Sequence, residues 1–264
     1  MNAVQETAWY VYAVLTAGAP MPACGAAVLP GAALEVIGAA DLAALVSLVP
    51  RALFVADDPA GRAGEPEWVA ACAAAHHEVV AQAAASGPCL PLGFGTLFSS
   101  SAGVTDWLEA HAAGLRRALG LVAGRQEWAV SVIEDEAAHA GWLRTHDSGV
   151  LRLAAAAEAA SRGTAFLLSR QLDKAVAAAR GAHEADVALA LQARFAELGE
   201  VRGERKSGAA RLAWSILAAP DAGVTAVLAD IGVALAGTGL SLRLTGPWPP
   251  YAFARAAWQE SLDA

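Results

Sequence analysis

Cysteine, histidine and acidic residues are the side chains that could perform catalysis or bind a metal, and the first group of them lies near one predicted helix. Cys72 and His76 are four residues apart, on one face of that helix, and Cys89 follows it. Two or three ligands on an apolar helix face are a weak pattern for zinc. His77 and Glu78 do not strengthen it, because adjacent helical residues point about 100° apart. We therefore predict buried cysteines and a hydrogen-bonded core histidine, not a metal site.

A second group of titratable residues follows a predicted strand in the middle of the chain. Glu134, Asp135 and Glu136 are consecutive, and His139 comes three residues later. These side chains could serve as general acids or bases. Acidic residues are also favoured at the start of a helix, where they interact well with the helix dipole. We predict a solvated turn that leads into a short helix.

Motifs that would indicate a specific chemistry are missing from the sequence. It contains no GxxxxGK[ST] phosphate loop, no GxGxxG between a strand and a helix, no GxSxG and no HExxH. The GFG at 93–95 lies inside a predicted strand and does not precede a helix. Arg116 and Arg117 are too small a basic feature for a nucleic-acid footprint. We expect no catalytic residues, no cofactor and no metal.

Composition narrows the class of protein further. The chain has 264 residues, of which 56% are hydrophobic and 17% charged, so disorder is not expected. Its net charge of −8 argues against non-specific binding to nucleic acid or to anionic lipid. Three cysteines without a CxxC pair fit a reducing cytosol. We expect a cytoplasmic protein without a signal peptide or a membrane-spanning helix.

The first half of the chain shows the pattern of an α+β domain. Aromatic, β-branched or alternating residues predict strands, and apolar residues at helical spacing predict helices. Strands are predicted over 9–15, 34–37, 42–49 and 89–98, and helices over 66–86 and 104–122. The strand over 89–98 contains a proline and two glycines, which suits a sheet edge. Its alternation places Leu92, Phe94 and Thr96 on one face.

The second half begins after residues 124–126, which we take as the domain junction, giving domains 1–125 and 126–264. Strands are predicted over 127–133, 212–217 and from residue 240, with a charged loop over 199–208. A helical segment over 150–198 is too long for one typical helix, so a break is expected near Gly163 or Gly181. Asp221 is the expected cap of the next helix. Neither half alternates regularly between strand and helix, and both fit ferredoxin-like or modified ferredoxin-like α+β domains.

The C-terminal stretch from Leu240 to Phe253 combines a strand with a proline-rich tail. Apolar and polar residues alternate from Leu240 to Thr245, and Gly246 with Pro247 are expected to end the strand. Prolines then stiffen an arm that carries three large aromatic side chains, Trp248, Tyr251 and Phe253. Such an arm either seals its own core or offers aromatic anchors to a partner, and both alternatives stay open here.

Three phrases together resemble one known family. They are LPLGFGTLF, EWAVSV at the start of the second half, and LTGPWPPYAF near the end. WYVYAV and DLAALVSLV in the first half also fit, so the chain resembles the gas vesicle GvpL/GvpF family over nearly its whole length. The GPWPPY–F phrase is the most specific part. The family usually has a basic residue where this chain has Gly93.

The resemblance implies a non-enzymatic accessory protein of gas vesicle formation. It implies two α+β domains, contacts with the small hydrophobic shell protein GvpA and with other accessory proteins, and association with the vesicle. From the acidic charge we expect no nucleic-acid or membrane partner.

Our hypothesis for the interface combines two features of the chain. One is the predicted strand edge over 90–98, with Leu92, Phe94 and Thr96, and the other is the aromatic arm with Trp248, Tyr251 and Phe253. The alternative function is a ferredoxin-like module that senses a small ligand.

Overall fold

The computed structural model of the chain describes residues 6–23, 27–55, 61–205 and 210–254, and it divides into two compact units. The first unit comprises residues 1–127 together with 248–264, and the second comprises residues 128–247. The domain boundary predicted from the sequence, between residues 125 and 126, instead places residues 248–264 in the second domain. Within the described ranges, no helix is both long enough and apolar enough to span a bilayer.

The first unit is a mixed α/β structure built around one central strand. Its strands are β1 (Thr7–Thr16), β2 (Glu35–Ala39), β3 (Leu42–Pro50), β4 (Cys89–Pro91) and β5 (Leu97–Phe98). Its helices are α1 (Pro66–Ser86), α2 (Ser101–Ala110) and α3 (Ala112–Val122), and a 3₁₀ turn covers Arg51–Phe54. The sheet order is β2-β3-β1-β4, with β5 also on β1, and the pairings are antiparallel. β1 lies at the centre of this sheet and is buried along nearly its whole length, which fits its apolar sequence.

Two buried tyrosines of β1 organise the core of the first unit. Tyr10 and Tyr12 are fully buried, and their rings lie 4.9 Å apart. The Tyr12 hydroxyl accepts a hydrogen bond from the Val28 amide at 2.8 Å and donates one to Ser47 Oγ at 3.0 Å. The Ser47 hydroxyl donates onward to the Ala33 carbonyl at 2.7 Å. These bonds satisfy polar groups that burial would otherwise penalise.

The second unit contains a four-stranded sheet, and the four helices of its described part lie between strands in chain order. Its elements are β6 (Gln126–Glu134), α4 (Glu136–His146), α5 (Ser148–Ala159), α6 (Arg162–Ala196), β7 (Gly199–Arg205), β8 (Ala210–Ala218), α7 (Val224–Leu235) and β9 (Leu240–Trp248). The strand order is β7-β8-β6-β9. Phe195 of α6 meets Trp214 of β8 edge-on at 5.4 Å in the core, and the Trp214 indole donates to Gln192 at 2.8 Å. The two units thus have separate hydrophobic cores.

The charged segment predicted as a loop over 199–208 is a strand in its described part. β7 pairs with β8 from Gly199 opposite Ala218 to Arg205 opposite Leu212. Gly203 faces Trp214, where a Cβ would lie 2.8 Å from the indole. The glycine is therefore needed for the tryptophan to pack on the strand. The charged side chains are predicted as a loop because charges at a sheet edge are also solvated.

Several helix boundaries also differ from the sequence predictions. The helix predicted over 104–122 is two helices, α2 and α3, which break at His111 with φ −107° and ψ 8°. The N-cap position of α7 is occupied by Gly223 and not by Asp221. The break expected near Gly163 is confirmed, since α5 ends at Ala159 and α6 begins at Arg162. β9 runs through Gly246 and Pro247 to Trp248, as an edge strand permits.

Candidate partner-binding surface

Helix α1 places two adjacent histidines on different sides of the helix. Pro66 lies at its first turn, and alanines make the helix favourable. Its buried residues recur at helical spacing and are Cys72, His76, Val79, Val80 and Ala83. His76 is 3% exposed, whereas His77 is only partly buried. Each histidine contacts one of the two features that the sequence hypothesis singles out.

His76 lies inside an aromatic cluster that Phe94 borders. Its Nδ1 forms a 2.8 Å hydrogen bond with the Tyr10 hydroxyl, and its ring stacks on Tyr12 at 5.6 Å. Burial lowers the pKa of His76 to about 4, although the Leu92 backbone partly opposes this shift. Phe94 meets His76 edge-on at 6.1 Å and remains 38% exposed. The prediction of a hydrogen-bonded core histidine is confirmed, and Phe94 is a half-exposed ring fixed against it.

The strand predicted over 89–98 is interrupted by a turn, so that prediction is wrong in its middle. Gly95 has φ +84°, in the left-handed region, and its amide donates to the Tyr10 hydroxyl at 3.2 Å. The Thr96 amide and hydroxyl both donate to the Gly93 carbonyl, at 3.2 and 2.7 Å. This turn separates β4 from β5, which both pair with β1. A pattern of alternating apolar residues does not show a left-handed glycine.

Leu92, Phe94 and Thr96 consequently do not share one strand face. Leu92 is 5% exposed and donates its amide to the Tyr12 carbonyl at 2.8 Å. Phe94 projects at the turn, while Thr96 is partly buried and accepts from the Val11 amide at 3.0 Å. Of these three, Phe94 offers the large apolar surface to a partner.

The C-terminal arm folds back, and its three aromatic residues occupy three different environments. Phe253 is 2% exposed and is a core residue. Tyr251 is partly buried and packs against the core cluster of the first unit. Trp248 is 41% exposed. The arm therefore both seals the core, through Phe253, and presents a large aromatic group, through Trp248.

His77 contacts both outer aromatic residues of the arm. The Tyr251 hydroxyl forms a 3.3 Å hydrogen bond with His77 Nδ1, and the two rings stack at 6.0 Å. Trp248 meets the His77 ring edge-on at 5.4 Å. Burial raises the pKa of the Tyr251 hydroxyl, which stays neutral. Neither spacing nor composition indicates this role of His77, because its partners lie more than 170 residues away.

A buried carboxylate of the first unit also holds the arm. Residues 251–254 form a single helical turn after the buried prolines Pro249 and Pro250. The Ala252 amide donates to Glu127 Oε2 at 3.0 Å, and Glu127 is 5% exposed. Acidic groups stabilise the free amides at a helix start. The sequence does not single out Glu127, because a carboxylate in a strand pattern resembles a solvated position.

In the second unit, the acidic group around 134–139 is only partly the solvated turn that the sequence predicts, since Asp135 and Glu136 are exposed at the start of the short helix α4 but the other two side chains are buried. Glu134 and His139 have fully buried side chains, and His139 Nδ1 lies 2.7 Å from Glu134 Oε1. Arg180 Nε donates to the same carboxylate at 2.6 Å, and His139 Nε2 lies 2.8 Å from His183 Nδ1. Asp135 does cap α4, accepting from the Ala138 amide at 3.0 Å.

This buried carboxylate is stabilised as an anion. Burial opposes the ionisation of Glu134, but its hydrogen bonds to Arg180 and His139 outweigh burial and lower its pKa. Arg211 of β8 lies 3.5 Å from it. The cluster therefore ties β6, α4, α6 and β8 together, as a structural ion-pair network does.

The cysteines near α1 are buried thiols. Cys72 and Cys89 are free, and burial raises the pKa of Cys89 to about 12. Cys24 lies outside the described residues. Across the described ranges, no group of three or more histidine, cysteine or acidic side chains could hold a metal ion.

One cavity of the first unit could accept an apolar group. It measures about 500 Å³, and Trp68, Cys72 and Leu29 are among its lining residues. Arg62 also lines it, but its guanidinium is held by Glu65 at 2.6 Å and lies over the Trp68 ring at 5.5 Å.

Two of the solved structures that this chain resembles share its fold. The crystal structure of the gas vesicle protein GvpF from Anabaena sp. PCC7120 superposes with a TM-score of 0.69 at 18% identity, covering 94% of this chain and 98% of that one. GvpF from Microcystis aeruginosa superposes with a TM-score of 0.63 at 13% identity, with the same coverage. At these identities the likeness establishes the fold.

Curated relatives provide the sequence relationship. Gas vesicle protein L2 of Halobacterium salinarum is 31% identical over 183 residues, covering 64% of each chain. Gas vesicle protein L of Haloferax mediterranei is 29% identical over 204 residues, covering 72% of this chain and 63% of that protein. The matches thus span somewhat less than two thirds of these relatives.

A family model also matches nearly the whole chain. The model described as gas vesicle synthesis protein GvpL/GvpF matches residues 8–255, from β1 through the aromatic arm. The chain therefore belongs to the GvpL/GvpF family of gas vesicle synthesis proteins.

Proposed function

We propose that this chain is a non-enzymatic accessory protein of gas vesicle assembly that binds the shell protein GvpA. The observation that carries the proposal is the exposed Trp248 on a firmly held arm, in a chain that matches the family model over residues 8–255. Other accessory gas vesicle proteins are further partners. The cytoplasm, at the growing vesicle, is the proposed location.

The physical need for such a protein comes from the shell. A subunit that builds a gas-impermeable wall exposes apolar surface and strand edges before assembly, and both promote aggregation. A soluble acidic chain, here with a net charge of −8, covers those surfaces and keeps the complex dispersed. It releases the subunit where the growing wall offers a better contact.

Trp248 is the main proposed contact. Tryptophan is among the residues that dominate binding free energies, and a preorganised ring loses little entropy on binding. Its edge-on contact with His77 at 5.4 Å, and the hydrogen bond from Tyr251 to the same histidine, restrict it before a partner arrives. Phe253 contributes by anchoring the arm in the core.

Phe94 is the second proposed contact. It is 38% exposed and lies against His76, the helical neighbour of His77. Leu92 and Thr96 position the turn that carries it, through their hydrogen bonds to β1. Because β4 has three residues and β5 has two, addition of a partner strand at this edge would be short. Aromatic contacts therefore carry more of the proposed interface than strand pairing does.

We also propose that the second unit is a ferredoxin-like domain and that the chain divides into two domains. A β-α-β-β-α-β arrangement is supported by the chain order of β6 to β9, with three helices in the first crossover and α7 in the second. The strand order β7-β8-β6-β9 supports it as well. The domain boundary near residues 125–128 is supported by the contact grouping.

A pulldown with co-expressed GvpA, at low and high salt, tests the proposal. We expect GvpA to be retained at high salt, because salt screens interactions between charges but does not weaken apolar contacts. The Trp248→Ala variant should lose retention. Val233→Ala, which changes an apolar side chain that is 78% exposed in the second unit, should keep it. If the chain retains no GvpA at either salt concentration, the proposal that the shell protein is a partner is rejected.

The cavity beside Trp68 favours one alternative function, a module that senses a small ligand. Its volume of about 500 Å³ and its mainly apolar lining resemble ligand pockets. A thermal-shift screen with nucleotides and amino acids tests it, since a ligand of the native state raises the melting temperature. No shift with any compound, together with GvpA retention, would favour the assembly role.

A further inference from the structure

The long helix α6 extends well beyond the core that it helps to build. It has 35 residues, and its buried side chains are Val176, Glu184, Leu191 and Phe195. None of the side chains from residue 162 to 175 is buried. At about 1.5 Å per residue, this part is roughly 21 Å long. We call residues 162–175 the α6 overhang, and α5 packs along it.

The overhang exposes two large apolar side chains next to each other. Phe166 is 64% exposed and Leu167 is 62% exposed. Phe166 precedes Glu184 by eighteen residues, which is five helical turns, so both lie on one face. Leu191 and Phe195 pack the sheet from that same face. The overhang thus extends the sheet-packing face of α6 beyond the sheet itself.

Positive charge flanks this apolar pair. Arg162 and Arg170 lie four residues on either side of Phe166, and the Arg170 guanidinium is 5.9 Å from its ring. Lys174 follows one turn later. Residues 148–175, which form α5 and the overhang, contain four basic and two acidic side chains. The surface is therefore apolar and basic.

The rest of the protein carries the opposite charge. Residues 1–127 and 248–264, the first unit, contain six basic and thirteen acidic residues, a net charge of −7. The second unit, residues 128–247, has twelve basic and thirteen acidic residues. The basic surface formed by α5 and the α6 overhang is therefore complementary in charge to the acidic first unit of another copy of the same chain.

The first unit also exposes apolar side chains that suit contact with Phe166 and Leu167 of the overhang. Trp9 lies opposite Leu48 on β3 and opposite Phe98 on β5, and the Phe98 ring is 5.7 Å from Trp107. We call these four residues the Trp9 row. Leu48 is 43% exposed, and the three aromatic residues are partly exposed.

Acidic side chains accompany this row. Asp106 and Glu109 are exposed on α2, the helix that carries Trp107. The first unit thus combines exposed apolar groups with negative charge, which is the complement of the overhang.

We infer that the α6 overhang of one molecule docks on the Trp9 row of a second copy. Phe166 and Leu167 provide the apolar contact, and Arg162 and Arg170 face Asp106 and Glu109. The two surfaces differ, so the contact is head-to-tail, and it generates open chains or rings of subunits. This self-association does not depend on the proposed binding of the shell protein.

Sedimentation velocity of the full chain over a wide concentration range tests the inference. The average mass should rise past that of two chains, and the rise should be weaker at high salt. Phe166→Ser with Leu167→Ser should weaken association by about ten-fold or more. Leu189→Ser with Val233→Ser, which changes two similarly exposed residues elsewhere on the second unit, should leave it unchanged.

A charge-swap experiment identifies the docking partner. Arg162→Glu with Arg170→Glu should abolish association, as should Asp106→Lys with Glu109→Lys in a separate protein. Mixing the two proteins should restore it, because each reversed surface then meets its complement. All four altered residues are exposed, so circular dichroism should show native folds. A monomer at every concentration, or a mixture that stays monomeric, would overturn the inference.

Discussion

The Tyr251 hydroxyl is hydrogen-bonded to His77 Nδ1 at 3.3 Å, and this contact joins the C-terminal arm to α1 across 174 residues of sequence. The same histidine meets Trp248 edge-on at 5.4 Å. One side chain therefore contacts both the partly buried Tyr251 and the exposed Trp248 of the arm. Because the ring of Trp248 is placed in advance, less entropy is lost when a partner binds it.

Replacing His77 with Ala should loosen the arm without unfolding the first unit. The variant loses one hydrogen bond and two ring contacts, for an expected loss of about 1–2 kcal/mol. Hydrogen exchange should become faster at the Ala252 amide, which donates to Glu127, and at the Ala254 amide, which donates to the Pro250 carbonyl. The matched control is Glu78→Ala, at an exposed position on the same helix, and it should leave those rates unchanged. Equal rates in both variants would show that His77 does not hold the arm.

The aromatic residues of the arm should differ sharply in their effect on stability. Phe253→Ala removes a side chain that is 2% exposed and should cost about 3–5 kcal/mol of unfolding free energy. Trp248→Ala alters a side chain that is 41% exposed and should cost less than about 1 kcal/mol. Urea denaturation of both variants measures the difference. A large loss in Trp248→Ala would mean that this residue seals the core and is not available to a partner.

The stability of the first unit should fall as the pH drops below about 6.5, because of His76. Burial lowers the pKa of His76 from 6.5 to about 4 in the folded state. The unfolded chain therefore binds more protons between these values, and stability rises with pH across this window by up to about 1.4 kcal/mol per unit.

Denaturation curves at several pH values measure this slope. In His76→Phe, which keeps an aromatic ring in the cluster but cannot titrate, the slope between pH 4 and 6.5 should be smaller. An identical slope in both proteins would assign the pH dependence to other groups.

Removing the buried carboxylate of the second unit should be strongly destabilising. Glu134→Ala removes the buried carboxylate that binds both Arg180 and His139, and breaking such a buried pair costs about 3–5 kcal/mol. Asp135→Ala, one residue later, removes only a helix cap and should cost about 1 kcal/mol. Thermal unfolding distinguishes the two. Similar losses in both variants would mean that the network contributes little.

Local signals in the sequence predicted most of the elements but not their long-range contacts. Pro66 marked the start of α1, and the aromatic and β-branched residues of β1 predicted a strand, because these patterns depend on neighbouring residues. The turn at Gly95 and the strand β7 were missed. Each depends on a distant partner, the Tyr10 hydroxyl in one case and the Trp214 ring in the other.

The candidate surface was predictable only in part for the same reason. Trp248 and Phe94 stood out as aromatic residues beside prolines and glycines, and both are exposed. Their supports, His77 and Glu127, had no signal in spacing or composition, since their partners follow more than 120 residues later. Glu134 and His139 looked solvated, because the arginine that pairs with the carboxylate lies 46 residues away.

The most direct test of the account is the affinity of the purified chain for GvpA, compared with that of Trp248→Ala and of Val233→Ala. We predict that Trp248→Ala binds at least about ten-fold more weakly, while its unfolding free energy stays close to that of the parent chain. Val233→Ala should bind as the parent does. Equal affinity in all three proteins would contradict the role assigned to Trp248, and no measurable binding by the parent would contradict the proposal that this chain binds the shell protein.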